Sequence, residues 1–241
     1  MDTFRRNIYQ LRHDPASSFP FRQRQSFQIP LPASQSQIPA SIPNLLTSLS
    51  CSKHSRAMAE WPLFRSSITP QASLSPSSPP QKPILTIRPG TDISIALSTP
   101  SPMGLYAPTI RNVSARSVHS LTSILKKNSH LGRQVPCSLT PAEMPKRGGT
   151  ITVSNVGAIG DGDFANPVLV PGSGVSTVAI GRAKWVWGVN RHKNGQGGRR
   201  LKVGVSWSAD HRVVGGAELA AFVETWRRWV ESLQKMIADG G

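Results

Sequence analysis

The clearest periodic pattern in the chain lies near its carboxyl end, over residues 217–237. Apolar side chains recur there at helical spacing, while glutamate and arginine lie on the other face. Such a pattern predicts an amphipathic helix that buries one face, and Gly240-Gly241 would end it. The apolar positions are Leu219, Phe222, Val223, Trp226, Val230, Leu233 and Ile237.

The residues before this helix alternate between apolar and other side chains. Every second residue from Leu201 to Trp207 is apolar, which predicts a strand over 201–208 with one buried face. Two further strands are predicted over 178–187 and 150–153. The second of these leads into a turn rich in glycine.

Upstream, the patterns are shorter and weaker. Residues 84–87 and 92–97 predict two strands, and residues 115–135 carry a helical pattern. A further helix is predicted to end before Pro62, because the residue that precedes a proline disfavours helical geometry. Residues 69–83 are a low-complexity stretch of serine and proline that predicts a loop.

The first 43 residues show no such periodicity. They are rich in serine, glutamine, proline and arginine, and contain few acids. This composition is typical of a disordered or targeting segment. A divergent end without any targeting role is an equally weighted alternative.

Length and composition exclude several classes of protein. The 241 residues suit one large domain or two small ones. No apolar run of about 18 residues exists, so a transmembrane helix is not predicted. Two cysteines, Cys51 and Cys137, cannot form a disulfide-rich scaffold or a four-cysteine zinc site. The histidines have no metal-ligand spacing, so a metal site is not expected.

The net charge of +16 raises the possibility of nucleic-acid binding. However, the cations are spread along the chain, and no zinc finger or stacking-aromatic motif accompanies them. The densest cluster, residues 191–202, surrounds several glycines and predicts the solvated tip of a hairpin. A phosphate-bearing small molecule explains a basic surface equally well, so nucleic acid is the less favoured partner.

Two short motifs could carry chemistry. His211 lies between the last predicted strand and the last helix, where a histidine can act as a general base. Ser154 and Asn155 follow a strand, and a serine there can donate a hydrogen bond to an oxyanion. Spacing alone favours a structural histidine in the first motif and ordinary turn chemistry in the second.

Taken together, these motifs resemble the catalytic domain of the dihydrolipoamide acyltransferases of 2-oxo acid dehydrogenase complexes. The resemblance covers residues 44–241, is strongest over 84–241, and is closest to the branched-chain type. Four motifs carry it in this order: Gly148 to Gly157 (GGTITVSNVG), Pro167-Val168, Val178 to Gly181 (VAIG) and Val205 to Arg212 (VSWSADHR). Shorter matches lie at Ala59 to Arg65, Asp92 to Leu97, Ile110 to Val113 and Leu139 to Ala142.

The resemblance implies an α/β (α+β two-layer) fold like that of chloramphenicol acetyltransferase, with a mixed sheet flanked by helices. It implies trimers, with each active site in a channel between subunits. His211 would be the general base, and Ser154 of a neighbouring subunit would hydrogen-bond the oxyanion. The positions that match the family's coenzyme A contacts are Ser98, Ser129, Ser154, Asn155, Gly181 and Ala183.

The resemblance also implies substrates, partners and a compartment. Coenzyme A would be a substrate, and the lipoyl group would be supplied by another domain or chain. The partners would be further copies in a homotrimer or larger core, a lipoylated full-length acyltransferase, and the other components of the complex. The mitochondrial matrix would be the compartment.

Two departures from the family pattern bear on activity. The family motif Asp-His-Arg-x-x-Asp-Gly has Gly215 at its second aspartate, so the side chain at that position is lost. No lipoyl domain is recognisable in the sequence. Both departures favour an alternative in which the chain is a catalytically weak or inactive trimeric scaffold of the same fold.

Overall fold

The computed structural model describes residues 21–29, 42–68, 84–98, 104–159, 162–169, 174–189 and 197–232. Nine strands lie in this part of the chain: β1 (Phe21–Ile29), β2 (Ser66–Ile68), β3 (Leu85–Ile87), β4 (Ile93–Ser98), β5 (Leu105–Tyr106), β6 (Thr109–Ile110), β7 (Ile151–Asn155), β8 (Ser176–Val189) and β9 (Gly197–Ala209). The α helices in it are α1 (Ile42–Glu60), α2 (Val118–Gly132) and α3 (Gly216–Glu231).

Seven of the strands form one mixed sheet. Its order is β1-β9-β8-β7-β4-β5, and β6 pairs with β4 beside β5. The strands β4, β7 and β8 run parallel, whereas β9 runs antiparallel to both β8 and β1. A separate ribbon joins β2 to β3. The predicted mixed sheet flanked by helices is thus confirmed.

The helices pack around a cluster of large aromatic rings beneath β9. Trp207 points from β9 towards α3, where the ring centroids of Phe222 and Trp226 each lie 5.5 Å from its own. Phe64 stacks on Phe222 at 3.7 Å. The helix α1 packs between α2 and α3. The contacts of Phe222 and Trp226 with Trp207 show that the apolar stripe of α3 faces the sheet.

The strand β9 is buried on both faces from Val203 onwards, whereas its alternation predicted one buried face. Residues 162–169 cross the second face, and Ser208 Oγ donates to the Pro167 carbonyl oxygen at 2.7 Å. Gly204 lies directly against the Asp163 carbonyl, where any side chain would collide with backbone. A glycine is therefore required at that crossing.

The amino-terminal region departs most from the sequence-based expectation. Residues 21–29, placed in a disordered or targeting segment, form a strand that pairs with β9 along its whole length, from Phe21 opposite Ala209 to Ile29 opposite Leu201. The pairing supplies backbone hydrogen bonds that a composition rich in arginine and glutamine does not predict. Residues 1–20 and 30–41 lie outside the described part.

The helix predicted before Pro62 does end at Glu60. The helical pattern over 115–135 corresponds to α2, which begins at Val118. Ser117 Oγ caps this helix by accepting from the Ser120 N–H at 3.2 Å. The last helix is observed to Glu231, and its predicted continuation lies outside the described residues, as does the loop 69–83. Of the predicted hairpin tip over 191–202, residues 191–196 lie outside the described part and residues 197–202 belong to β9. Among the described helices, none has the length and apolar character needed to span a membrane.

Candidate active site

Five of the six candidate coenzyme A positions share one edge of the sheet. The parallel register places Ala96, Ser154 and Ala179 side by side on β4, β7 and β8. Parallel strands end at a common edge, and a ligand of an α/β sheet commonly binds there. The candidates at this carboxyl edge are Ser98, Ser154, Asn155, Gly181 and Ala183.

Local contacts hold this edge in place. Asn155 Nδ2 donates to Thr47 Oγ1 of α1 at 3.0 Å, which fixes the amide beside the end of β7. A β-bulge interrupts the ladder between Ile180 and Ala183. Arg182, inside the bulge, donates from Nε to the Gly157 carbonyl oxygen at 3.3 Å. Sequence reasoning missed Thr47, because the segment that holds it has no apolar periodicity.

The sixth candidate, Ser129, lies in the last turns of α2 and is half-buried. Gly132, at the end of that helix, packs against Leu97 and Leu139. Since Leu97 is the penultimate residue of β4, α2 ends beside the carboxyl edge of the sheet. Ser129 therefore lies on the same side of the molecule as the other five candidates.

His211 lies at the opposite edge. It follows Ala209, the last residue of β9. Across the sheet, Ala209 is opposite Ser176 of β8, and Ser176 is opposite Ile151 at the start of β7. Ser154 is three residues further along β7, about 10 Å, and two strand spacings of about 4.8 Å separate β7 from β9. Within one chain, the structure does not bring His211 and Ser154 together.

The turn that carries His211 is held by its neighbours. The backbone N–H groups of Val213 and Val214 both donate to the Asp210 carbonyl oxygen at 2.9 Å. The Asp210 carboxylate accepts from Arg212 Nη2 at 2.7 Å and from Arg212 Nε at 3.0 Å. These hydrogen bonds raise the pKa of Arg212. The ion pair flanks the half-buried histidine and stabilises the turn without using its ring.

Gly215 immediately precedes α3, where its N–H donates to Glu218 Oε2 at 2.8 Å. Its φ of −72° is ordinary, so the backbone accepts a side chain there. A Cβ would lie 3.3 Å from the Glu218 carboxylate. A side chain at this position, that of the family's second aspartate, therefore fits only if the flexible Glu218 carboxylate, which bonds the helix start, shifts by a few tenths of an ångström.

The remaining candidates for reactive chemistry do not form a site. Cys51 is fully buried, and burial raises the pKa of its thiol to about 12, so it is no nucleophile near neutral pH. Across the described ranges, no three histidine, cysteine or acidic side chains lie close enough to hold a metal ion.

Comparison with known proteins identifies the family. The model of the 2-oxoacid dehydrogenase acyltransferase catalytic domain matches residues 42–238. The chain belongs to this family. A curated relative, the mitochondrial lipoamide acyltransferase component of the branched-chain alpha-keto acid dehydrogenase complex of Mus musculus, is 34% identical over 156 residues. That match covers 64% of this chain and 30% of the mouse protein.

Solved structures support the fold assignment. The acyltransferase domain resembles the dihydrolipoamide acetyltransferase of Azotobacter vinelandii with a TM-score of 0.69 and 22% identity, covering 98% of this chain and 90% of the other. It also resembles chloramphenicol acetyltransferase, with a TM-score of 0.57 and 12% identity over 94% of each chain. The fold expected from the sequence motifs is thus confirmed.

Proposed function

We propose that this acyltransferase domain moves an acyl group between coenzyme A and dihydrolipoamide within a 2-oxo acid dehydrogenase complex. The placement of the two motifs carries the proposal. His211 follows β9 at one edge of the sheet, and Ser154 ends β7 at the other, among the candidate coenzyme A positions. Two copies of the chain could bring these opposite edges together around one thioester.

The chemistry requires one base and one hydrogen-bond donor. Neutral His211 takes the proton from the attacking thiol, and the thiolate adds to the carbonyl carbon of the acyl thioester. The hydroxyl of Ser154 donates a hydrogen bond to the resulting oxyanion. Collapse of this tetrahedral intermediate breaks the original carbon–sulfur bond, and the departing thiolate recovers the proton from the imidazolium.

The distance within one chain supports a site shared between subunits. The points that carry Ser154 and His211 are separated by more than about 13 Å, which no side-chain rotation can close. In the proposed mechanism the base of one copy therefore meets the serine of another. We propose a homotrimer, alone or within a larger core, as the assembly that achieves this.

Gly215 supports a second candidate function, a scaffold with weak or no turnover. In the A. vinelandii acetyltransferase, a serine, a histidine and an asparagine have been investigated for their role in the catalytic mechanism, and the asparagine lies four residues after the histidine. Gly215 has the same spacing from His211 and offers no side chain. In this second candidate the domain would assemble and bind coenzyme A without transferring the acyl group.

Acyl transfer to free dihydrolipoamide separates the two candidates. We would follow thioester absorbance with isobutyryl-, acetyl- and succinyl-coenzyme A as donors, and use the His211→Ala protein as the blank. Turnover above the blank supports an enzyme, and the preferred donor identifies the complex. An assembled protein that binds coenzyme A without turnover supports the scaffold.

Restoring the carboxylate should raise activity. Gly215→Asp is expected to increase kcat several-fold, because the backbone already has a geometry that an aspartate adopts. It should change stability by only a few tenths of a kcal/mol, since glycine and aspartate differ little at a helix N-cap. Gly215→Ala is the matched control, because it adds the Cβ without the carboxylate. If both variants have the same kcat, the missing carboxylate does not limit turnover.

The remaining assignments follow from the relatives. The mouse protein belongs to a branched-chain complex and is mitochondrial, so we propose the branched-chain type and the mitochondrial matrix for this chain. The acyltransferase domain would span residues 44–241. The lipoyl group would come from another domain or chain, such as a full-length lipoylated acyltransferase.

A further inference from the structure

The strands β8 and β9 continue past the carboxyl edge of the sheet as a two-stranded ribbon. The last residue of β7, Asn155, pairs with Ile180, so among the described residues the later part of β8 has β9 as its strand neighbour. We call residues 184–189 and 197–202 the edge ribbon. It begins directly after Ala183, one of the candidate coenzyme A positions.

The register separates the side chains of the edge ribbon onto two faces. Lys184 is opposite Lys202, and two residues along, Val186 is opposite Arg200, so these three cations share one face. The other face carries Trp185 and Trp187, with the Arg199 guanidinium 5.3 Å from the Trp185 ring. We call the first the cationic face and the second the aromatic face.

The cationic face carries an electrostatic cost. Like charges directly opposite each other destabilise an antiparallel pair, and Lys184 and Lys202 have that arrangement. The Asp163 carboxylate offsets part of the repulsion through a 2.7 Å contact with Lys184. Both partners of this ion pair are substantially exposed, so it contributes little net stability. A bound polyanion would neutralise the remaining charge.

The position of the cationic face suits the anionic part of coenzyme A. The reacting thiol would lie beside Ser154, and Lys184 follows Ala183 directly. Arg200 is opposite Val186, which is three residues, or about 10 Å, beyond Ala183 along the ribbon. Coenzyme A carries its thiol on a long pantetheine arm and its diphosphate and 3′-phosphate at the far end. An arginine with neighbouring lysines is well suited to phosphate oxygens.

We infer that the cationic face of the edge ribbon binds the phosphates of coenzyme A, with Arg200 and Lys202 contributing the affinity. This inference rests on the proposed function, and it assigns the affinity for coenzyme A to particular residues of this chain. The cations attract the phosphates and orient the pantetheine arm towards the end of β7. They take no part in the proton transfers.

Calorimetric binding to the assembled protein tests this assignment. Arg200→Gln and Lys202→Gln are each expected to raise the Kd for coenzyme A about tenfold or more, the loss of one charge-assisted contact. Arg199→Gln is the matched control, because it removes the same charge from the aromatic face of the same strand, and its Kd should change less than about twofold. Pantetheine, which has no phosphates, should bind all four proteins equally.

Several outcomes would overturn the inference. Unchanged Kd values in Arg200→Gln and Lys202→Gln, with tight binding by the unmodified protein, would do so while leaving the proposed function intact. An equal rise of the Kd in Arg199→Gln would show that affinity depends on the net charge and not on the cationic face. Dissociated variants, detected by their solution mass, would make the face an interface between copies. If the unmodified protein binds neither coenzyme A nor pantetheine, the proposed function fails as well.

Discussion

Replacing His211 by alanine is expected to lower kcat for acyl transfer by about 10²–10⁴-fold, the usual contribution of a positioned general base. The fold should survive, because the turn is held by backbone bonds to Asp210 and by the Asp210–Arg212 ion pair. Thioester absorbance would measure the turnover, and thermal unfolding would measure the stability.

The exposed His119 provides the control for this substitution, since it lies on the surface of α2, in a helix that carries no part of the proposed base. His119→Ala should retain the kcat of the unmodified protein. A His211→Ala protein that assembles normally and turns over at the original rate would make His211 a structural residue.

A second large effect should appear in the stability of the protein below neutral pH. His54 of α1 is fully buried, and its ring centroid lies 5.0 Å from that of Trp207 and 5.1 Å from that of Trp226. Burial lowers the pKa of His54 to about 3, although its contact with the Ser50 carbonyl opposes the shift. The folded protein therefore keeps this imidazole neutral in weak acid.

The sign of the effect follows from proton uptake. Between pH 6.5 and 3 the unfolded chain binds a proton at His54 and the folded chain does not, so stability falls as pH falls. The slope approaches about 1.4 kcal/mol per pH unit. A second group, Glu143, acts in a lower window, because hydrogen bonds from Thr140 and Lys127 lower its pKa to about 2. Its contribution is lost only below its ordinary pKa near 4.5.

Urea unfolding at about pH 6.5 and about pH 5 measures how His54 changes the free energy of unfolding, because Glu143 acts mainly below this pH interval. The unmodified protein should lose up to about 2 kcal/mol over this interval. His54→Gln keeps a polar side chain that does not titrate, so its stability should vary much less with pH. His119→Gln, at an exposed position, should retain the full dependence. An unchanged dependence in His54→Gln would assign the acid sensitivity to other groups.

The sequence predicts the central strands well because their signals are local. Alternation from Leu201 to Trp207 and the strand before Ser154 depend only on neighbouring residues, and both are present in the structure. The strand β1 could not be predicted, since it exists through pairing with a strand nearly two hundred residues away. Similarly, α1 places Ser50 and His54 in its buried face, so its sequence has no apolar stripe.

The candidate residues can be chosen from the sequence, but their arrangement cannot. The motifs single out His211 and Ser154 as candidates, whereas their separation follows from the register of three strands that no motif encodes. The charge cluster near residue 200 is visible in the sequence. Its division into a cationic and an aromatic face arises only when Lys184 and Lys202 are brought opposite each other.

The most direct test of the shared site is complementation between two inactive proteins. His211→Ala and Ser154→Ala chains, carrying different tags, would be co-assembled and purified through both tags, and acyl transfer would be measured. A site built from the base of one copy and the serine of another predicts recovery of about a third of the original activity in purified mixed trimers, because one of the three sites in each joins an intact histidine to an intact serine. Mixed assemblies no more active than either parent protein would contradict the intersubunit site.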